Sequence, residues 1–152
     1  MFRVQIYVPL EQVSTVAGAG PGIAGPGLAM TPDESWLAVA EIDGSLSVFP
    51  VDTSTGAVGE SAASIPDSHA TGVAFSDNST QIVASSLDND VVRVYTFDAA
   101  TGAITMPAAR EFPVYRRPNR IAVADLNEDG IVSIISSCHA WATCSSARQR
   151  HT

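Results

Sequence analysis

Three groups of side chains in this sequence are of types that do chemistry. His69 carries an imidazole, which gives and takes protons near neutral pH and can serve as a general acid or base. Arg116, Arg117 and Arg120 stand close together, and guanidinium forks so grouped can clamp a phosphate or a carboxylate. The run Asp125-Leu126-Asn127-Glu128-Asp129-Gly130 sets oxygen ligands at alternate positions ahead of a glycine that permits a sharp turn, as a calcium loop requires. The positions concerned are Asp125, Asn127, Asp129, Ile131 and Ser133. Each group has a plainer alternative: a histidine hydrogen-bonded at a sheet edge, a solvated arginine loop balancing an acidic body, and a polar turn between strands. No cofactor is required by these residues, and calcium is the ion they suggest.

Other features carry less. Gly18-Ala19-Gly20-Pro21-Gly22 lacks the Lys-Ser and the strand-to-helix setting of a phosphate loop, so it reads as a flexible lead-in. Abundant serine makes any Ser-His-Asp match uninformative. Cys138 and Cys144 are spaced as neither a disulfide framework nor a zinc site.

The elements that must position these residues are repeated. Gly27-Leu28-Ala29-Met30-Thr31-Pro32-Asp33 lies 45 residues before Gly72-Val73-Ala74-Phe75-Ser76-Asp77-Asn78, and Thr55-Gly56-Ala57-Val58 lies 46 before Thr101-Gly102-Ala103-Ile104. Each unit runs through three short apolar segments separated by polar and acidic turns. They are Leu28 to Met30, Trp36 to Glu41 and Ser45 to Val51, then Val73 to Phe75, Gln81 to Ser86 and Val91 to Phe97. Such lengths and the alternation of Val92, Val94 and Thr96 with Val91, Arg93, Tyr95 and Phe97 predict strands. A fourth, weaker strand is expected after each Thr-Gly-Ala turn, near Val58 to Ser61 and Ile104 to Met106. A third unit begins at Ile121-Ala122-Val123 and continues through Ile131 to Ile135, after which the pattern stops and no third strand is expected.

Both faces of each unit are partly apolar, which suits a sheet stacked between neighbours better than one with a wet face. Four-stranded antiparallel units of about 45 residues in tandem are the mark of a β-propeller. The expected fold is therefore all-β, an incomplete propeller. Residues 1–19 form a lead-in, 20–136 about three blades (20–65, 66–112 and an incomplete 113–136), and 137–152 an atypical tail.

The phrases Phe49-Pro50-Val51-Asp52-Thr53-Ser54-Thr55-Gly56-Ala57-Val58 and Tyr95-Thr96-Phe97-Asp98-Ala99-Ala100-Thr101-Gly102-Ala103-Ile104 resemble the "V-Y-x-x-D-x-x-T-G-x-L" phrase of the lactonase family of seven-bladed propellers. That family includes 6-phosphogluconolactonases and carboxymuconate cyclases. His69-Ala70-Thr71-Gly72-Val73-Ala74-Phe75-Ser76 is similar to its "P-x-H-x-A-F-S-P-D-G" strand and turn. WD40 propellers are the nearest alternative, but Val51-Asp52 and Phe97-Asp98 stand where their Trp-Asp would end the third strand. The resemblance implies that His69 lies before an inner strand near the channel mouth, acting on a sugar lactone ring, with Arg117 as the anchor of an anionic group. Arg117-Pro118-Asn119 aligns with the segment that carries His69. The Asp125 loop resembles the calcium turns of FG-GAP and VCBS propeller repeats, although Ser133 stands where those place Asp.

Sixteen acidic residues face eight basic ones, all arginine, for a net charge of −8, so nucleic acid is not an expected partner. The charge is uneven: residues 1–109 hold twelve acids against two arginines, and residues 110–152 hold four acids against six arginines. No stretch approaches the roughly 20 apolar residues of a membrane span, and residues 1–16 are too interrupted for a signal-peptide core, which favours a soluble, cytoplasmic chain over a secreted one. The lactonase family carries about twice as many blades as this chain. A non-catalytic segment that binds another protein or another copy through exposed blade faces is therefore the first expectation, and lactone hydrolysis the second.

Overall fold

The computed structural model describes residues 27–41, 43–66, 68–114, 117–124, 133–138 and 145–148. All of its regular structure is strand, in three antiparallel sheets. The first joins β1 (Leu28–Met30), β2 (Trp36–Ala40), β3 (Leu46–Pro50) and β4 (Ala63–Ile65) in that spatial order. The second runs β5 (Ala70–Phe75), β6 (Gln81–Ser86) and β7 (Val91–Asp98), with β8 (Ala103–Ile104) on one end of β7 and β9 (Arg110–Pro113) on the other. The third is β10 (Pro118–Ala124), β11 (Ser133–Cys138) and β12 (Ser145–Arg148). Among the described residues the sheets do not close a ring, and the fold is an incomplete propeller.

The repeat in sequence is a repeat in hydrogen bonding. In the turn after β1, Thr31 N–H donates to the Trp36 carbonyl, and Trp36 N–H donates to the Thr31 hydroxyl at 3.0 Å. Ser76 and Gln81 make the same pair of contacts after β5. Asp33 Oδ1 accepts the N–H and hydroxyl of Ser35, as Asn78 Oδ1 accepts those of Thr80. Between them Glu34 and Ser79 take φ of 62° and 54°, the left-handed conformation that closes such a turn. After the third strands, the Gly56 and Gly102 N–H groups donate to the carbonyls of Asp52 and Asp98, both glycines at φ 75°.

Two expectations are corrected. The segments after the Thr-Gly turns pair only briefly, at Val51 with Val58 and at Phe97 and Asp98 with Ile104 and Ala103. The main fourth strands lie later, at β4 and β9, where the chain returns alongside the start of β3 and β7. Serine-rich Ser61 to Ser64 and charged Arg110-Glu111 hide them, since edge strands need little apolar content. Strand structure also continues past Ser136: β12 pairs with β11 from Ser133–Arg148 to Ser136–Ser145. Its Ser-Ser-Ala-Arg sequence has no alternating apolar signal to announce a strand.

Period-two alternation sends each sheet's apolar side chains to both faces. On the second sheet Val73, Phe75, Ile82, Ala84, Tyr95 and Phe97 face the first, meeting Ala38, Ala40, Leu46 and Val48 in one buried cluster. Val83, Val92 and Val94 face the other way and meet Ile134, with Ile121 and Val123 packed beside them. Burying each large side chain of this kind contributes about 1.5–3 kcal/mol. Trp36 locks the first pair of sheets, its Nε1–H donating to the Ala99 carbonyl at 2.8 Å and its ring meeting Phe97 edge-on.

Candidate functional site

Each sheet leads with its innermost strand, β1, β5 or β10, and these strands abut from one sheet to the next. A Cβ on Gly27 would come within 2.8 Å of the Gly72 Cα and the Val73 nitrogen, and one on Gly72 within 2.7 Å of the Asn119 carbonyl oxygen. The residues that immediately precede β5 and β10 therefore occupy matching places on one rim of the inner wall. They are His69 and Arg117.

The match is structural as well as sequential. His69 and Arg117 adopt φ of 50° and 49°, and each strand that follows shifts register at its start, between Ala70 and Gly72 and between Pro118 and Arg120. Each is supported by the second-to-third-strand turn of the preceding sheet. Gly44, at φ 88°, lies against the His69 backbone, and Asp90, at φ 52°, accepts the Arg117 N–H through its carboxylate. A left-handed backbone at this point turns the side chain out of the strand direction and onto the rim.

His69 is half exposed, and its Nδ1 lies 3.6 Å from Oδ2 of the exposed Asp88. That is too long for a direct hydrogen bond and short enough for a charge pair when the imidazole is protonated. Behind it, Ser68 donates its hydroxyl to the Gly44 carbonyl at 2.6 Å and accepts the Ala70 N–H. Arg93 donates one guanidinium N–H to the Ser68 carbonyl at 3.0 Å and another to Glu111 at 2.7 Å. The rim thus offers an imidazole with a carboxylate neighbour, and an arginine position one sheet away. Such a set can orient a proton-transferring group beside an anion.

The sequence groups Arg116, Arg117 and Arg120 together, and the fold separates two of them. Arg117 matches His69 on the rim, whereas Arg120 lies within β10, paired with Ser137, at the place that Gly72 holds opposite Ser85 in β5. Arg116 lies outside the described residues, as do Asp125, Asn127, Asp129 and Ile131 of the expected calcium loop. Ser133 opens β11, buried and paired with Ala124 and Arg148. Among the described residues no three His, Cys, Asp or Glu side chains come together to hold a metal, and no helix is long and apolar enough to cross a membrane. Asp88, Asp90, Ser68 and Arg93 belong to the rim without having been singled out. The matching turn of the first sheet, Asp43-Gly44, points to the first two, because turns at equal repeat positions fall on the same rim.

The chain matches no family model, and no curated protein matches it. Solved structures do. A periplasmic gluconolactonase of Pseudomonas aeruginosa is 24% identical, with a TM-score of 0.56 over 68% of this chain and 30% of that one. A Bacteroides fragilis protein described as a candidate 6-phosphogluconolactonase is 19% identical, with a TM-score of 0.54 over 66% and 28%. The PQQ domain of a Coprinopsis cinerea pyranose dehydrogenase is 21% identical, with a TM-score of 0.51 over 74% and 28%. The chain spans less than a third of the length of each. Their likeness is one of fold, and the lactonase resemblance of the Asp-x-x-Thr-Gly phrases agrees with two of them.

Proposed function

We propose that this chain acts as a lactonase-like propeller segment whose task is binding: the outward face of its first sheet takes the sheet face of another polypeptide. One observation carries this. Leu28 and Met30 are 64% and 47% exposed, while Val73 and Phe75, at the same repeat positions in the second sheet, are 5% and 7% exposed. Pairing of Leu28 with Val39, Met30 with Leu37 and Leu37 with Phe49 puts all five side chains on that same face, where Phe49 is buried at 6% and the open part is the β1 edge. In the second sheet this set is covered by Ala38, Ala40, Leu46 and Val48, so the occupant it fits is a small-residue, β-branched and leucine-bearing sheet face of that kind.

The test is a pair of substitutions. Leu28→Glu is expected to shift the thermal midpoint by no more than about 2 °C while abolishing binding of an apolar dye. Val73→Glu, which buries a carboxylate, is expected to unfold the chain. Equal destabilisation by the two, or dye binding that Leu28→Glu leaves unchanged, would contradict the proposal.

The rim supports a second reading, hydrolysis of a sugar lactone with His69 as base and Arg117 as anchor, because His69 and Asp88 are within charge-pair distance. It predicts turnover of 6-phosphogluconolactone that His69→Ala removes. Turnover that survives His69→Ala excludes this assignment.

A further inference from the structure

The two left-handed corners of the rim are held by one short piece of chain. Such a backbone is unfavourable at any residue that carries a Cβ, so His69 and Arg117, at φ 50° and 49°, need something to fix the peptide that leads into each. At His69 that peptide is held by its carbonyl, since Arg93 Nη1 donates to the Ser68 oxygen at 3.0 Å. The guanidinium is fixed in turn. Its Nε–H donates at 2.7 Å to Glu111, its cross-strand partner on β9, and the Arg93 side chain is only 20% exposed. At Arg117 the peptide is held by its other end, the N–H donating to the Asp90 carboxylate. Asp90 is anchored as well, because its own carbonyl accepts the Val114 N–H at 2.9 Å. A peptide unit is planar, so gripping either its carbonyl or its N–H restricts the backbone of the residue that follows.

We infer that Asp90 and Arg93 are positioning residues of the rim, Arg93 for the His69 imidazole and Asp90 for the Arg117 guanidinium, so that the start of β7 sets the spacing of the two side chains. For the roles of base and anchor the inference rests on the lactone-hydrolysis reading given above. Asp90 and Arg93 stand three positions apart where the chain enters β7, roughly 10 Å of strand. The corners they hold belong to different junctions: His69 lies where the first sheet passes to the second, and Arg117 where the second passes to the third. Both junctions thus take their place from the second sheet. The grip is on main chain in each case, which leaves the working side chains free. Among the described residues the exposed Arg117 guanidinium forms no ion pair, and His69 is held at its backbone while Nδ1 faces Asp88. The two grips also differ in chemistry. Asp90 serves as an acceptor, a task an amide oxygen can take over, whereas Arg93 serves two acceptors at once with the fixed fork of its guanidinium.

Two readouts on the full chain test this. NMR reads each corner through the close contact between a residue's own N–H and Hα that a positive φ imposes. Arg93→Met keeps the apolar stem and removes both donors, and should lose that contact at His69 while keeping it at Arg117. Asp90→Gly removes the acceptor at a φ of 52° that glycine adopts freely, and should do the reverse. Asp90→Asn should keep both contacts. In hydrolysis of 6-phosphogluconolactone, Arg93→Met should lower kcat about tenfold with KM within about twofold of wild type, and Asp90→Gly should raise KM about tenfold with kcat within about twofold. Asp90→Asn should restore the wild-type values. Contacts that survive at both corners in Arg93→Met and Asp90→Gly would overturn the inference. Loss of both contacts in either variant would do the same, as would kcat and KM changing together in both. Wild type that hydrolyses no lactone would refute the lactone reading, and the corner contacts would then decide the positioning role by themselves.

Discussion

The first and second sheets are two solutions to one repeat, and they differ where each meets its surroundings. Their turns share the same main-chain bonds, from Thr31 and Ser76 to Gly56 and Gly102. Their faces are not. Ser47 and Ser64 share a hydrogen bond at 3.0 Å across β3 and β4, where the second sheet has the Arg93–Glu111 ion pair at 2.7 Å. Leu28 and Met30 stand in solvent where Val73 and Phe75 are sealed. The local chemistry of each turn is thus fixed within the unit, whereas the worth of a face depends on its neighbour.

Glycines at equivalent positions allow the comparison to be broken by substitution. The largest effect is expected at Gly72, where Gly72→Ala forces a Cβ against the Asn119 carbonyl and should cost about 3 kcal/mol. Denaturant titration measures it, and a cost under ~1 kcal/mol would deny the close approach of β5 and β10. Next come Gly102 and Gly56, both at φ 75°. Gly56→Ala meets open space and should cost only the left-handed backbone, about 1 kcal/mol. Gly102→Ala meets the Trp36 ring at 2.4 Å as well, and should cost roughly 2 kcal/mol or more. Equal costs would mean that Trp36 does not bind the two sheets as described.

The smallest effect concerns acid. The Ser54 hydroxyl and N–H hold Asp52 below its ordinary carboxylate value, and the Thr101 hydroxyl and Ala100 N–H do the same for Asp98. The Ser45 N–H and hydroxyl act likewise on Asp43. A carboxylate with a lowered folded value binds fewer protons than its unfolded counterpart, so its contribution is present above about pH 4 and lost as pH falls through the lowered value. These groups are exposed, which keeps the effect small. Asp52→Asn and Asp98→Asn should each flatten the acid limb of the stability curve to a similar extent. An effect confined to one sheet would break the equivalence of the turns.

Much of this was legible in the sequence because turn chemistry is local. Asp-x-x-Thr-Gly and Thr-x-Asp-x-Ser fix their own hydrogen bonds with residues in hand, so strand positions such as Gln81–Ser86 follow directly. The fourth strands and β12 were not legible. Arg110–Pro113 and Ser145–Arg148 become strands by pairing with a distant neighbour, and their own residues carry no alternation. His69 and Arg117 were linked by alignment, but their left-handed backbones and the Asp90 support depend on register shifts that single residues do not announce. The split between Arg117 on the rim and Arg120 within β10 likewise needs the cross-strand partners.

Hydroxyl-radical footprinting of Leu28, Met30, Val73 and Phe75 tests the central claim most directly, with each rate normalised to the unfolded chain. Strong protection of Val73 and Phe75, with Leu28 and Met30 modified within about threefold of their unfolded rates, is the predicted result. Equal protection of the two pairs in dilute monomer would contradict the account, because the first sheet would then have no open face to offer a partner.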